Sequence, residues 1–139
     1  MMRVAVIYES TRGRTKAMAE AIGEGVRSAG AECDIIDARK FKDIGDVCAV
    51  AIGSSTRVKK VLPKVKQILA GLSTLDGKPA AAFGSYGWSG EAPDIIAKRL
   101  AELGASLIEN QPIKAKDYPS SSTLEQCKEL GQNLAKKCA

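Results

Sequence analysis

Short apolar runs alternate with stretches in which apolar residues recur every three or four positions, and this happens five times along the chain. Arg3–Tyr8 is a continuous apolar run, as expected of a strand buried on both faces. Over residues 15–28, Met18, Ile22 and Val26 fall on one helical face, and Gly30 ends that helix. Glu32–Asp37 reads as a second strand, Phe41–Ile44 as a short helix or turn, and Val47–Gly53 as a third strand. Val61, Val65, Ile68, Leu69 and Leu72 share a face of a helix over 61–72, with Pro63 in its first turn and Gly71 near its end. Lys78–Ser85 reads as a fourth strand. Ala92–Leu103 is a helix striped by Ile96, Leu100 and Leu103, capped by Gly104, and Ala105–Glu109 is a short fifth strand. Leu124–Lys137 closes the pattern, with Leu124, Cys127, Leu130 and Leu134 inward, Lys136 and Lys137 at the negative end, and Ser122 or Thr123 as cap.

Five strand–helix units predict an α/β fold, a three-layer sandwich with a five-stranded parallel sheet between helices on both faces. With strand order 2-1-3-4-5, the order reverses between strands one and three, and ligands bind beyond the carboxyl ends of the strands there. The segments facing that crevice are Glu9–Thr15, Ser54–Lys60 and Ser85–Glu91, all rich in Gly, Ser and Thr.

The first segment, Ser10-Thr11-Arg12-Gly13-Arg14-Thr15, joins a strand to a helix start. Unpaired N–H groups and the helix dipole favour an anion there, hydroxyls add donors, and Gly13 lets the backbone come close. It is neither a Walker loop nor a G-x-G-x-x-G fingerprint, and the few acids at the strand ends, Glu9 and Asp37, are too thin a set for a phosphoacceptor site. The third segment, Gly84-Ser85-Tyr86-Gly87-Trp88-Ser89-Gly90, sets two of the six aromatics of the chain on a glycine-rich turn. Aromatics opposite a phosphate cradle suit a planar ring carrying a phosphate, and flavin mononucleotide (FMN) has both parts.

At 139 residues the chain is expected to form one domain, residues 1–139. There is no histidine, which removes Ser-His and Cys-His nucleophiles and histidine metal sites and leaves any redox chemistry to a cofactor. No apolar run approaches the length of a membrane span, and the start of the chain goes straight into strand pattern, so a cytoplasmic location is expected. Cys33, Cys48, Cys127 and Cys138 show no paired spacing and read as reduced thiols, Cys138 the most exposed. The charge of +5 is spread without interleaved aromatics, which points away from nucleic acid and toward an acidic protein partner.

Three stretches, Tyr8–Thr15, Ala51–Thr56 and Ala82–Gly90, make the chain resemble flavodoxins, most of all the flavodoxin domain of the A-type flavoproteins, or flavo-diiron proteins, here standing alone. The resemblance implies that Ser10, Thr11, Arg12, Gly13, Arg14 and Thr15 hold the FMN phosphate. It implies that Ser54, Ser55, Thr56, Arg57 and Val58 border the ring on one side and Ser85, Tyr86, Gly87, Trp88, Ser89 and Gly90 on the other. Arg12 and Arg14 stand where the family has neutral residues, and Val58 where it often has Asn. The di-iron half has no counterpart, since no histidine exists to build it.

The expected function is an FMN-binding electron carrier without catalytic residues or metal, monomeric or homodimeric, serving acidic redox proteins of rubredoxin, ferredoxin or reductase type. The alternatives are an FMN-dependent NAD(P)H:acceptor reductase of quinone type and a flavin-free interaction module. Arg57, Lys59 and Lys60 beside the ring loop are expected to make the flavin easier to reduce than in acidic flavodoxins.

Overall fold

The computed structural model describes residues 2–109 and 111–138. Strands β1 (Arg3–Glu9), β2 (Glu32–Asp37), β3 (Ala49–Ser54) and β6 (Pro79–Tyr86) form a parallel sheet. Its fifth strand comes in two pieces, β7 (Ser106–Leu107) and β8 (Ile113–Lys116), both parallel to β6. The order is β2-β1-β3-β6-β7, the expected 2-1-3-4-5.

Because successive strand residues point to opposite faces, the sheet has a core on each side. Val4 and Val6 of β1, with Ala51 and Phe83, pack under α1 (Arg14–Ser28) and α4 (Ser121–Cys138). Ala5, Ile7, Val50 and Ile52 pack under α2 (Pro63–Gly71) and α3 (Ala92–Glu102). Helices α1 and α4 cross at two glycines. A Cβ at Gly25 would lie 1.9 Å from the Lys128 carbonyl oxygen, and one at Gly131 1.9 Å from that of Ile22. Only glycine permits this approach.

Several expectations are corrected. Of the fifth strand expected at Ala105–Glu109 only Ser106–Leu107 forms; the strand resumes at Ile113, and this longer piece alternates Ile113 and Ala115 inward with exposed Lys114 and Lys116. Such charged alternation blunts a sheet edge and carries little apolar signal. Residues 56–61 form a hairpin, β4 (Thr56–Arg57) and β5 (Lys60–Val61), ahead of the helix expected from residue 61. The turn expected at Phe41–Ile44 is a single 3-10 turn at Ala38–Lys40, capped by Asp37 accepting from the Arg39 N–H at 3.0 Å. The last helix is capped by Ser120, whose Oγ accepts the Thr123 N–H at 3.1 Å.

The cysteines also differ from expectation. Cys48, at the entry to β3, is disulfide-bonded to Cys138 at the end of α4, which is therefore half-buried rather than exposed. Cys33 and Cys127 are free and buried, and burial pushes their thiols up to about 11 and about 12. Thiolate is the reactive form, so these two are inert at neutral pH.

Candidate functional site: three loops at the reversal of strand order

The loops after β1, β3 and β6 converge at the carboxyl end of the sheet. A single side chain ties them. Thr15, the second residue of α1, is fully buried, and its Oγ1 lies 3.0 Å from Ser55 Oγ and 2.8 Å from Ser85 Oγ. Ser55 and Ser85 are 3.5 Å apart, so three hydroxyls from three loops form a closed cluster. Buried hydroxyls must be paired, and each of these is paired with the other two loops.

The first loop turns on Gly13, whose φ of +81° suits a residue without a Cβ and whose N–H donates to Ser10 Oγ at 2.9 Å. The first helical bond from this end is the Ala17 N–H to the Gly13 carbonyl at 3.0 Å, and the N–H groups ahead of it point out of the helix start. Thr11 and Arg12 are exposed there. Arg14 is held by Asp117, with Nη1 and Oδ1 3.5 Å apart, and the Asp117 N–H donates to the Tyr86 carbonyl at 2.7 Å. Asp117 thus links the first loop to the third.

The second loop is braced from below. Ser54 Oγ accepts the Leu62 N–H at 3.0 Å, and its O–H donates to the Ser55 carbonyl at 2.8 Å. Thr56 Oγ1 accepts the Ala92 N–H at 3.0 Å and so caps α3. The Glu9 carboxylate accepts the Val65 N–H at 2.9 Å, which sets a negative charge at the start of α2, where the dipole favours it. Val58 and Lys59 form the hairpin tip, both at positive φ (+49° and +63°), and Val58 is 83% exposed.

In the third loop Gly84 permits the close packing of β6 on the end of β3: a Cβ there would sit 2.1 Å from the Ser54 carbonyl oxygen. Beyond it Tyr86 is half-buried and Trp88 stands 93% exposed. An indole so exposed gains nothing from the protein's own core.

Together the loops enclose a cavity of about 350 Å³, lined by Thr11, Arg12, Arg14, Ser55, Thr56, Ser85, Tyr86, Gly87 and Trp88. Of the other expected residues, Ser10 and Gly13 shape the first loop, and Thr15 and Ser54 are consumed in internal bonds. Arg57 and Val58 stand on the exposed hairpin, and Ser89 and Gly90 are half-buried in the turn before α3. Asp117 escaped the sequence reading because its role depends on the unread strand β8. Among the described residues no cluster of His, Cys, Asp and Glu could hold a metal, and no helix is long and apolar enough to cross a membrane.

The donor set is backbone N–H, hydroxyl and guanidinium on one side and aromatic on the other. It fits a ligand with an anionic tail and a planar ring.

Comparison with known proteins finds relatives along the whole chain. A family model described as Flavodoxin matches residues 6–131. The anaerobic nitric oxide reductase flavorubredoxin of Aeromonas hydrophila is 33% identical over an alignment covering 99% of this chain and 29% of its own length. The rubredoxin-oxygen oxidoreductase of Megalodesulfovibrio gigas is 30% identical, over 96% of this chain and 35% of its own. The chain therefore spans about a third of the length of these relatives. A solved flavodoxin from the domain Archaea superposes with a TM-score of 0.90 at 38% identity, covering 99% of both chains.

Proposed function

The chain belongs to the flavodoxin family, and on that premise we propose that it binds FMN in the cavity between its three loops and carries electrons between redox proteins. One observation supports this most: the open, cationic start of α1 lies across a 350 Å³ cavity from an indole that is 93% exposed. The exposed N–H groups, Thr11 and the guanidinium of Arg12 hold the phosphate, with Arg14 oriented toward it by Asp117. Trp88 and Tyr86, which line the cavity, would lie against the ring and shield it from water. FMN supplies the electron-transfer chemistry when bound. No side chain is needed as acid or base, and the protein sets the potential through charge.

On this reading residues 1–139 form one flavodoxin-like domain working in the cytoplasm. Its partners are acidic electron carriers of rubredoxin, ferredoxin or reductase type, in keeping with its relatives, a flavorubredoxin and a rubredoxin-oxygen oxidoreductase.

The test is a titration of the purified protein with FMN, read as quenching of flavin fluorescence and as a visible absorption spectrum. Saturable quenching with one FMN per chain supports the reading, and Arg12→Ala and Trp88→Ala each weaken it. A protein that stays colourless and leaves the fluorescence of excess FMN unchanged refutes it. Rapid reduction of the bound flavin by NADH or NADPH alone would make the chain a reductase instead of a carrier.

A further inference from the structure

A cavity larger than the one at the loops lies elsewhere. It is a cleft of about 610 Å³ between α2 and α3. Its apolar lining is buried Val61 and Leu69 with exposed Ala70 and Ile95. Its rim carries Lys60, Lys66, Lys98 and Arg99, against one acid, Glu102, which sits 3.6 Å from Arg99. Lys60, Lys66 and Lys98 have no ion-pair partner among the described residues.

This charge is not evenly shared along the chain. Residues 57–102 hold eight cationic and four acidic side chains, hence +4 of the total of +5. Residues 1–56 hold eight of each and are neutral. The positive field therefore comes mainly from one stretch, which builds the hairpin β4–β5, α2 and α3.

We propose that this cleft docks an acidic amphipathic helix of the partner protein, which brings the partner against the β4–β5 hairpin beside the flavin site. The inference rests on the reading of the chain as an electron carrier. Two walls of helix, about 14 and 17 Å long at 1.5 Å per residue, present a groove into which a third helix can lay an apolar stripe. Exposed Ile95, 43% accessible, is an anchor for that stripe. The three unpaired lysines select acid on the flanks of the incoming helix. A small-molecule site would instead need fixed polar groups to orient its ligand. None of the buried polar residues, Thr15, Ser54, Ser55 and Ser85, lines this cleft, and the one fixed polar side chain there, Arg99, already donates its Nε–H to the Leu69 carbonyl at 3.2 Å. The cleft adjoins the hairpin, because Lys60 and Val61 of its lining belong to the strand that follows the hairpin tip.

The experiment uses the full chain, titrated with FMN first, and a fluorescent peptide of about four helical turns bearing a Leu stripe and Glu on its other faces. Anisotropy at low ionic strength is expected to show saturable binding. Lys66→Glu with Lys98→Glu should weaken it about tenfold, and Lys136→Glu with Lys137→Glu, on the opposite side of the sheet, should change it less than twofold. A scrambled peptide of the same composition should bind at least fivefold more weakly. Equal binding of the scrambled peptide overturns the proposal, because charge alone then accounts for it. So does indifference to Lys66→Glu with Lys98→Glu, and so does tighter binding of dodecanoate than of the peptide, which would mark a small-anion site. FMN affinity should be the same in all variants. A chain that takes no FMN refutes the reading of function, while the peptide titration still reads the groove.

Discussion

Replacing Thr15 by Val removes one hydroxyl from a site where three loops meet and keeps the shape of the side chain. Two hydroxyl contacts are lost, at 3.0 Å to Ser55 and 2.8 Å to Ser85, together with the longer bond that the Ser85 N–H donates to Thr15 Oγ1 at 3.4 Å. Each is worth about 0.5–1.5 kcal/mol net. Ser55 and Ser85, already 3.5 Å apart, can close on one another and recover part of the loss. The expected destabilisation is about 2 kcal/mol. At about 2.1 cal/mol/K per residue, the unfolding entropy of 139 residues is about 0.29 kcal/mol/K, so Tm should fall by about 7 °C. Urea unfolding followed by far-UV circular dichroism measures this, since a Trp 93% exposed in the folded state is a poor reporter. Thr15→Ser keeps the hydroxyl and should lose less than half as much. FMN affinity should drop with Thr15→Val as the loops lose their common tether. If Thr15→Val unfolds at the same urea concentration as the parent, or Thr15→Ser is equally damaged, the hydroxyl cluster is not what joins the loops.

Four other outcomes are expected. Opening Cys48–Cys138, which closes a loop of about 90 residues, should lower stability by about 2–4 kcal/mol, seen as a lower Tm in dithiothreitol that Cys48→Ser reproduces without reductant. Val58→Asn should raise stability by about 1 kcal/mol, because a β-branched residue at φ +49° is strained and Asn suits a two-residue hairpin turn; an unchanged urea midpoint would argue against strain. Hydrogen bonds from the Arg39 side chain hold the Asp37 carboxyl below its ordinary range, so its stabilisation is present above about pH 4 and disappears as pH falls through the lowered value. Asp37→Asn should therefore flatten the acid limb of the stability curve below about pH 4. Arg57→Ala should make the flavin harder to reduce by about 50 mV, the effect on a one-electron couple of one charge taken at about 7 Å with an effective dielectric near 40; a redox titration giving an unchanged or higher midpoint contradicts it.

The sequence by itself determined the layers and the position of the crevice. Runs such as Val4–Ile7 and Val50–Ile52 are apolar on both faces, as a central parallel strand flanked by helical patterns requires. The glycines and hydroxyls after them mark where the chain must turn at the carboxyl ends, so the three site loops were legible. What tertiary structure decided was which groups are spent and which are free. Thr15 and Ser54 look like ligand donors in the sequence, yet burial pairs them with other loops. Strand β8, with alternating lysines, exists because β6 offers it an edge, and it alone brings Asp117 to Arg14. Cys48 and Cys138 meet because α4 runs back across the sheet to the start of β3. The cleft between α2 and α3 arises in the same way. Periodicity reports which face of a segment is apolar, whereas the contacts between distant segments depend on how the sheet sets them side by side.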